Sequence, residues 1–171
     1  MRPLVRVVDD LRANAIANLA IGDIGLLAAA IRADHPGRAV VLFALVNIAL
    51  AIVWGGLGPA GRLRKEALRA SSPPSGRALE PPNVTRRRVA VALIPAVAVL
   101  AVLVGVAPET AAVLAGVPAG IGAGELWLLG WARKFQQGHR EELLRDVPSS
   151  PFTGGQRAVY TLPMNEATDA T

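Results

Sequence analysis

Cysteine is absent from the 171 residues, which excludes a disulfide framework, a thiolate metal site and a cysteine nucleophile, and leaves the redox compartment open. Aromatic residues are only 4% and charged residues only 18% of the chain, both below the level of an ordinary soluble domain. The two histidines, His35 and His139, have no ligand-spaced companions, so no metal is expected. No serine, histidine and aspartate set is clustered, and catalysis therefore has no nucleophile with a base; the chain reads as a non-enzyme. Lysine is nearly missing as well. Only Lys65 and Lys134 occur, so the formal charge of +5 is carried almost wholly by arginine.

What is abundant is aliphatic side chain, since 52% of the residues are hydrophobic. They come in blocks without a three-residue or heptad repeat, which excludes collagen-like and coiled-coil classes. Crossing ~30 Å of hydrocarbon takes about 20 helical residues, and four blocks reach that length: Ala13 to Ile31, Ala39 to Pro59, Val89 to Ala107 and Thr110 to Ala132. The His35-Pro36-Gly37 turn and the Pro108-Glu109 break join them in pairs. The expected fold is an all-α integral membrane four-helix bundle of two hairpins. Its segments are an N-terminal stretch 1–12, a first hairpin 13–59, a basic Pro-rich loop 60–88, a second hairpin 89–132, and a helix with a disordered tail over 133–171.

Charge sets the expected orientation, because cytoplasmic loops carry the Lys and Arg excess. With both termini inside, sixteen basic residues lie on the inner side and only Arg32 and Arg38 on the outer. The middle loop alone holds Arg62, Arg64, Lys65, Arg69, Arg77, Arg86, Arg87 and Arg88 against Glu66 and Glu80. A secretory signal peptide is the rival reading of the first block. Asp9 and Asp10 before the apolar run, and Asp23 within it, argue against that reading. The arginine and alanine bias suggests a GC-rich bacterial genome, and the expected location is the bacterial cytoplasmic membrane.

The four blocks are unequal. The second and third each have eleven Leu, Ile, Val or Phe residues and no charge, whereas the first and fourth have seven each and carry Asp23 and Glu125. At about −0.3 to −0.6 kcal/mol for each such residue and about +2.5 to +3.5 for a central Asp, the first and fourth insert marginally and need neighbours. In the fourth, Gly116, Gly120 and Gly124 are spaced by four, a stripe that lets another backbone approach. It serves packing within the chain or contact with another subunit of a homo-oligomer or larger complex.

Asp23, Asn47 and Glu125 are the candidate intramembrane polar or proton site, since an ionised acid in hydrocarbon is costly and tends to mark a proton or cation path. Depth counting pairs Asp23 with Asn47 across the first hairpin, and places Asp23 within about a turn of Glu125. Both pairings are expectations. In outline, four helices with an embedded acid resemble the small multidrug transporters. The chain is longer, its acid is Asp23 rather than Glu, and the aromatic lining is missing, so no residue is carried over.

Trp54, Trp127 and Trp131 fall near inner helix ends, as interfacial anchors do. Arg62, Arg64, Lys65, Arg86, Arg87 and Arg88 are the expected contacts to anionic lipid headgroups. Nucleic acid is not expected, because the loop lacks aromatic stacking platforms. Gly56, Gly58 and Gly61 match a dinucleotide-binding spacing, but a long apolar run stands where a short strand belongs, so no cofactor is expected. The function expected is that of an accessory or scaffold subunit associating through the fourth helix; a small proton- or cation-coupled transporter using the embedded acids is the alternative.

Overall fold

The computed structural model describes residues 3–148 and 158–164. Strand β1 (Leu4–Arg6) leads into α1 (Val7–Arg32), followed by α2 (Pro36–Ile52), α3 (Pro59–Ala67), α4 (Pro82–Val106), α5 (Pro108–His139), β2 (Glu141–Asp146) and β3 (Val159–Pro163). Four helical stretches are long and apolar enough to cross a membrane: Val7–Arg32, Pro36–Ala67, Pro82–Val106 and Pro108–His139. Proline occupies the first turn of α2, α3, α4 and α5. Its fixed φ suits that position, and its missing N–H would have no intrahelical partner there.

The bundle is organised around α5, which touches α1, α2 and α4. Within its most apolar window 61% of α5 is buried, against 11% for α2 and for α4. Composition explains the difference. Ala111, Ala112, Ala115, Gly116, Ala119, Gly120, Gly122 and Gly124 are all buried, so neighbouring backbones come close to α5 on two sides. The bulkier aliphatics of α2 and α4 instead point outward, with Val41, Leu45, Ile48, Val91, Ile94 and Val102 exposed. Between α2 and α3 the helix widens into a π segment, Val53–Leu57. A Cβ on Gly55 in this segment would sit 2.8 Å from Trp127 and 3.2 Å from the backbone of Gly124. The close approach of the two helices therefore needs glycine at both positions.

One end of the bundle carries a three-stranded antiparallel sheet in the order β1-β2-β3, which corrects the all-α expectation. Leu4 pairs with Asp146 and Arg6 with Leu144, while Glu142 pairs with Leu162 and Leu144 with Tyr160. The helix expected at the start of the 133–171 segment is the end of α5 and stops at His139, where Arg140 turns left-handed at φ 55°. Beyond it, adjacent Leu143 and Leu144 are both buried, a pattern that suits a strand covered on both faces. Leu143 joins Val7, Leu11, Leu63, Leu128 and Val159 in the core beneath the sheet.

The tail expected to be disordered contributes β3; residues 149–157 and 165–171, including Arg157, lie outside the described residues, as does Arg2. The middle loop is likewise stitched to the sheet. Leu4 N–H donates to Ala78 O at 3.0 Å, Glu80 N–H to Leu4 O at 2.7 Å, and Thr161 N–H to Ser71 O at 3.1 Å. Both sheet edges are thereby occupied by the chain's own loop, which leaves less edge open to strand addition.

Candidate functional site

The polar residues fall into three groups, distinguished by what satisfies them. The first closes the sheet end. Asp10 on α1 is 0% exposed, and its carboxylate accepts from Arg88 on α4 at 2.9 Å and from Arg145 on β2. Arg88 also reaches Glu80 at 3.2 Å, and Glu80 accepts from the Thr85 hydroxyl at 2.6 Å. Arg77 in the loop binds Asp146 on β2 and lies over the Tyr160 ring. Three carboxylates, Asp10, Glu80 and Asp146, and three guanidiniums, Arg77, Arg88 and Arg145, thus form a clamp across α1, α4, β2 and the loop. A buried charge is tolerable only when paired and hydrogen-bonded in this way.

Beside the clamp, Arg6 and Glu142 form an ion pair at 2.9 Å across β1 and β2. Burial pushes the Glu142 carboxyl above its ordinary value. Asp9 adds to the rise, and the nearby Arg6 guanidinium opposes it without cancelling it. Its Oε2 has no hydrogen-bond partner among the described residues, which leaves the charged form under-compensated.

The second group lies inside the bundle. Glu125 on α5 and Asn18 on α1 are both buried, and the Asn18 amide donates to Glu125 Oε2 at 3.4 Å. Gly122 on the same face meets Ala15 and Leu19 so closely that a Cβ would lie 2.9 Å from Ala15 O. Helix rotation separates what depth counting had brought together. Asp23 is not with Glu125 but on the exposed outer flank of α1, with no hydrogen bond to Asn47. Asn47 faces α5, its backbone O being 2.7 Å from where a Gly120 Cβ would stand.

Asp23 is the third group by itself. Ile16, Ala20 and Leu27 share its side of α1 and are exposed. Among the described residues its carboxylate has no hydrogen bond or ion pair, although the helix around it is apolar. Among the described residues it is the one exposed acid within a candidate span, the others being buried or half-buried.

The glycine stripe of the fourth block packs within the chain. A Cβ on Gly116 would meet Phe43 O at 2.9 Å, one on Gly120 would meet Leu50 Cβ at 2.7 Å, and one on Gly124 would meet Trp54 Cβ at 2.9 Å. Small residues on α1 serve the other side of α5, where a Cβ on Gly22 would stand 2.5 Å from the Ala119 Cβ.

The aromatic anchors differ in setting. Trp127 is 55% exposed, Trp54 is half-buried, and Trp131 lies against Phe135 with the Arg64 guanidinium 5.6 Å from its ring. Among the basic residues expected at headgroups, Arg62, Lys65, Arg86 and Arg87 are exposed. Arg88 is instead held by Asp10 and Glu80, and the Arg64 guanidinium lies over Trp131.

The clamp residues Asp10, Glu80, Arg88, Arg145, Arg77 and Asp146 carry no sequence motif. The available signal was local: Asp10 beside Asp9 at the mouth of an apolar helix, and an acid and base run around Leu143 and Leu144. Among the described residues no cluster of three or more His, Asp and Glu could hold a metal. No family model, curated protein or solved structure matches this chain.

Proposed function

We propose that the chain is a non-enzymatic, multi-pass membrane protein acting as an accessory or scaffold subunit, and that its contact surface is the outer flank of α1 around Asp23. The carrying observation is the uncovered Asp23 on an apolar helix face. In hydrocarbon an aspartate near a helix centre costs about 2.5–3.5 kcal/mol on insertion scales, and a partner helix presenting a basic, amide or hydroxyl donor at that depth removes the cost. The contact moves from α5, whose glycine stripe is filled by α2, to α1.

Charge supports the orientation. Arg32 and Arg38 stand at the turn between α1 and α2, while Arg62, Lys65, Arg69, Arg86 and Arg87 are exposed toward the sheet end. This distribution fits a cytoplasmic sheet end beside anionic headgroups, with both termini inside a bacterial cytoplasmic membrane.

A second reading, a proton- or cation-coupled transporter, draws on the buried Glu125 and Asn18 pair. The two readings separate on purification from the native host in mild detergent. The subunit reading expects a stoichiometric membrane partner that Asp23→Asn loses and Glu125→Gln keeps. A lone protein whose pH-driven flux disappears in Glu125→Gln overturns it.

A further inference from the structure

A groove of about 460 Å³ runs between α1 and the start of α4, lined by Asp9, Arg12, Ile16, Ala20, Pro82 and Arg86. Three of these are charged, and none of the three has an ion pair or side-chain hydrogen bond among the described residues. The contrast with their neighbours is sharp, since Asp10, next to Asp9, and Arg88, two residues beyond Arg86, are both held in the clamp. Asp9, Arg12 and Arg86 thus offer two guanidiniums and one carboxylate at a single mouth.

Below this mouth the same seam opens again. A second crevice of about 380 Å³ is walled by Ile21, Ile24, Gly25, Ala28, Leu100 and Val104, and is almost wholly apolar. Helices α1 and α4 run in the same direction from the sheet end, so the charged mouth leads into the apolar crevice along one groove. From Arg12 to Ala28 the helix rises ~24 Å at 1.5 Å per residue. This exceeds the ~15 Å half-thickness of the hydrocarbon core, enough for a headgroup region and an acyl chain in one leaflet.

We propose that this seam seats one phospholipid of the ethanolamine class, with its phosphate on Arg12 and Arg86, its ammonium on Asp9, and an acyl chain in the α1 and α4 crevice. The charge pattern selects the ligand. Guanidiniums bind phosphate through charge-assisted hydrogen bonds. The carboxylate needs an N–H donor, which a primary ammonium supplies and a trimethylammonium does not. The seat rests on the reading that the bundle spans a bilayer, and it borders the flank proposed for the partner at Asp23, with which it shares Ile16 and Ala20.

The test uses the full chain purified in mild detergent and exchanged against phosphatidylethanolamine or phosphatidylcholine of identical acyl chains, with bound lipid counted by native mass spectrometry. One phosphatidylethanolamine per chain is expected, preferred at least tenfold over phosphatidylcholine. Asp9→Asn should erase the preference, and the double variant Arg12→Gln, Arg86→Gln should weaken both lipids at least tenfold. Ala101→Phe, which narrows the crevice and leaves the charges untouched, should lower retention of both. Arg32→Gln, an exposed charge at the opposite end of α1 and outside both parts of the groove, should change nothing. Equal retention of both lipids by the wild type, or equal loss in Arg32→Gln, overturns the seat. Carbonate extraction tests the spanning reading separately: release from membranes sinks that reading, while retained protein that holds no phosphatidylethanolamine sinks the seat alone.

Discussion

Two aspartates on one helix meet opposite fates. At the sheet end Asp10 is fully buried and held by Arg88 and Arg145, while farther along α1 Asp23 stands exposed among Ile16, Ala20 and Leu27. The sheet end shows how a chain with few charges spends them on itself, drawing α1, α4, β2 and the loop together. The outer flank of α1 shows the reverse, a charge that nothing among the described residues compensates. A side chain of the same type is structural in the first place and a candidate contact in the second, and only the surroundings tell them apart.

The comparison breaks most visibly at Asp10. Asp10→Ala leaves two guanidiniums facing a buried gap, and the expected loss is about 3 kcal/mol, the lower end for a broken buried pair because both arginines keep some exposure. Thermal unfolding in detergent measures it, and a loss below 1 kcal/mol would mean that water or another group replaces the carboxylate without cost.

Next in size is Gly120→Leu, which drives a side chain into Asn47 O and Leu50 Cβ. Overpacking of this kind costs about 1–3 kcal/mol, and here it pries α2 from α5. The same melt reads it, with Gly130→Leu, whose position is open, as the control expected to be silent.

A smaller effect sharpens the account of the sheet end. The Glu142 carboxyl is raised above its ordinary value of 4.5 in the folded chain. The folded state therefore binds this proton more tightly than the unfolded state does. The resulting stability is fully present below pH 4.5 and is lost as pH rises through the raised value. Glu142→Gln should flatten that stretch of the profile, followed by amide exchange in β1 and β2 at a series of pH values. An unchanged slope would assign the pH dependence to other groups.

Least of all should happen to the isolated fold in Asp23→Asn, within about 0.5 kcal/mol as for an exposed site free of contacts. Its effect belongs to the partner. A clear destabilisation of the purified chain would show that Asp23 works inside the fold after all.

The sequence made the spans legible because length and apolarity alone define them, and the two hairpin turns are marked by Pro36 and Pro108. It also singled out Glu125 and the Gly116, Gly120 and Gly124 stripe, since an acid or a glycine repeat stands out in an aliphatic block. Their partners were not legible. Depth counting fixes a residue along the helix axis but not its rotation about that axis, so Asp23 was paired with Asn47 and set beside Glu125, whereas Asn18 is the residue that meets Glu125.

The sheet was hidden for a different reason. β1 has three residues, and its pairing with β2 joins the two ends of the chain. Glu141–Asp146 gives no alternation to distinguish a strand from a continuing helix. The clamp was hidden in the same way, its partners lying 78 and 135 residues from Asp10.

The most direct test of the central claim places a photo-crosslinking residue at Leu27, on the exposed flank beside Asp23, and at Val99, exposed on α4, in the native membrane. The account predicts one stoichiometric protein adduct from Leu27, abolished by Asp23→Asn, with only lipid adducts from Val99. Identical labelling from both positions, unchanged by Asp23→Asn, would contradict it and leave the outer flank of α1 as a surface for lipid alone.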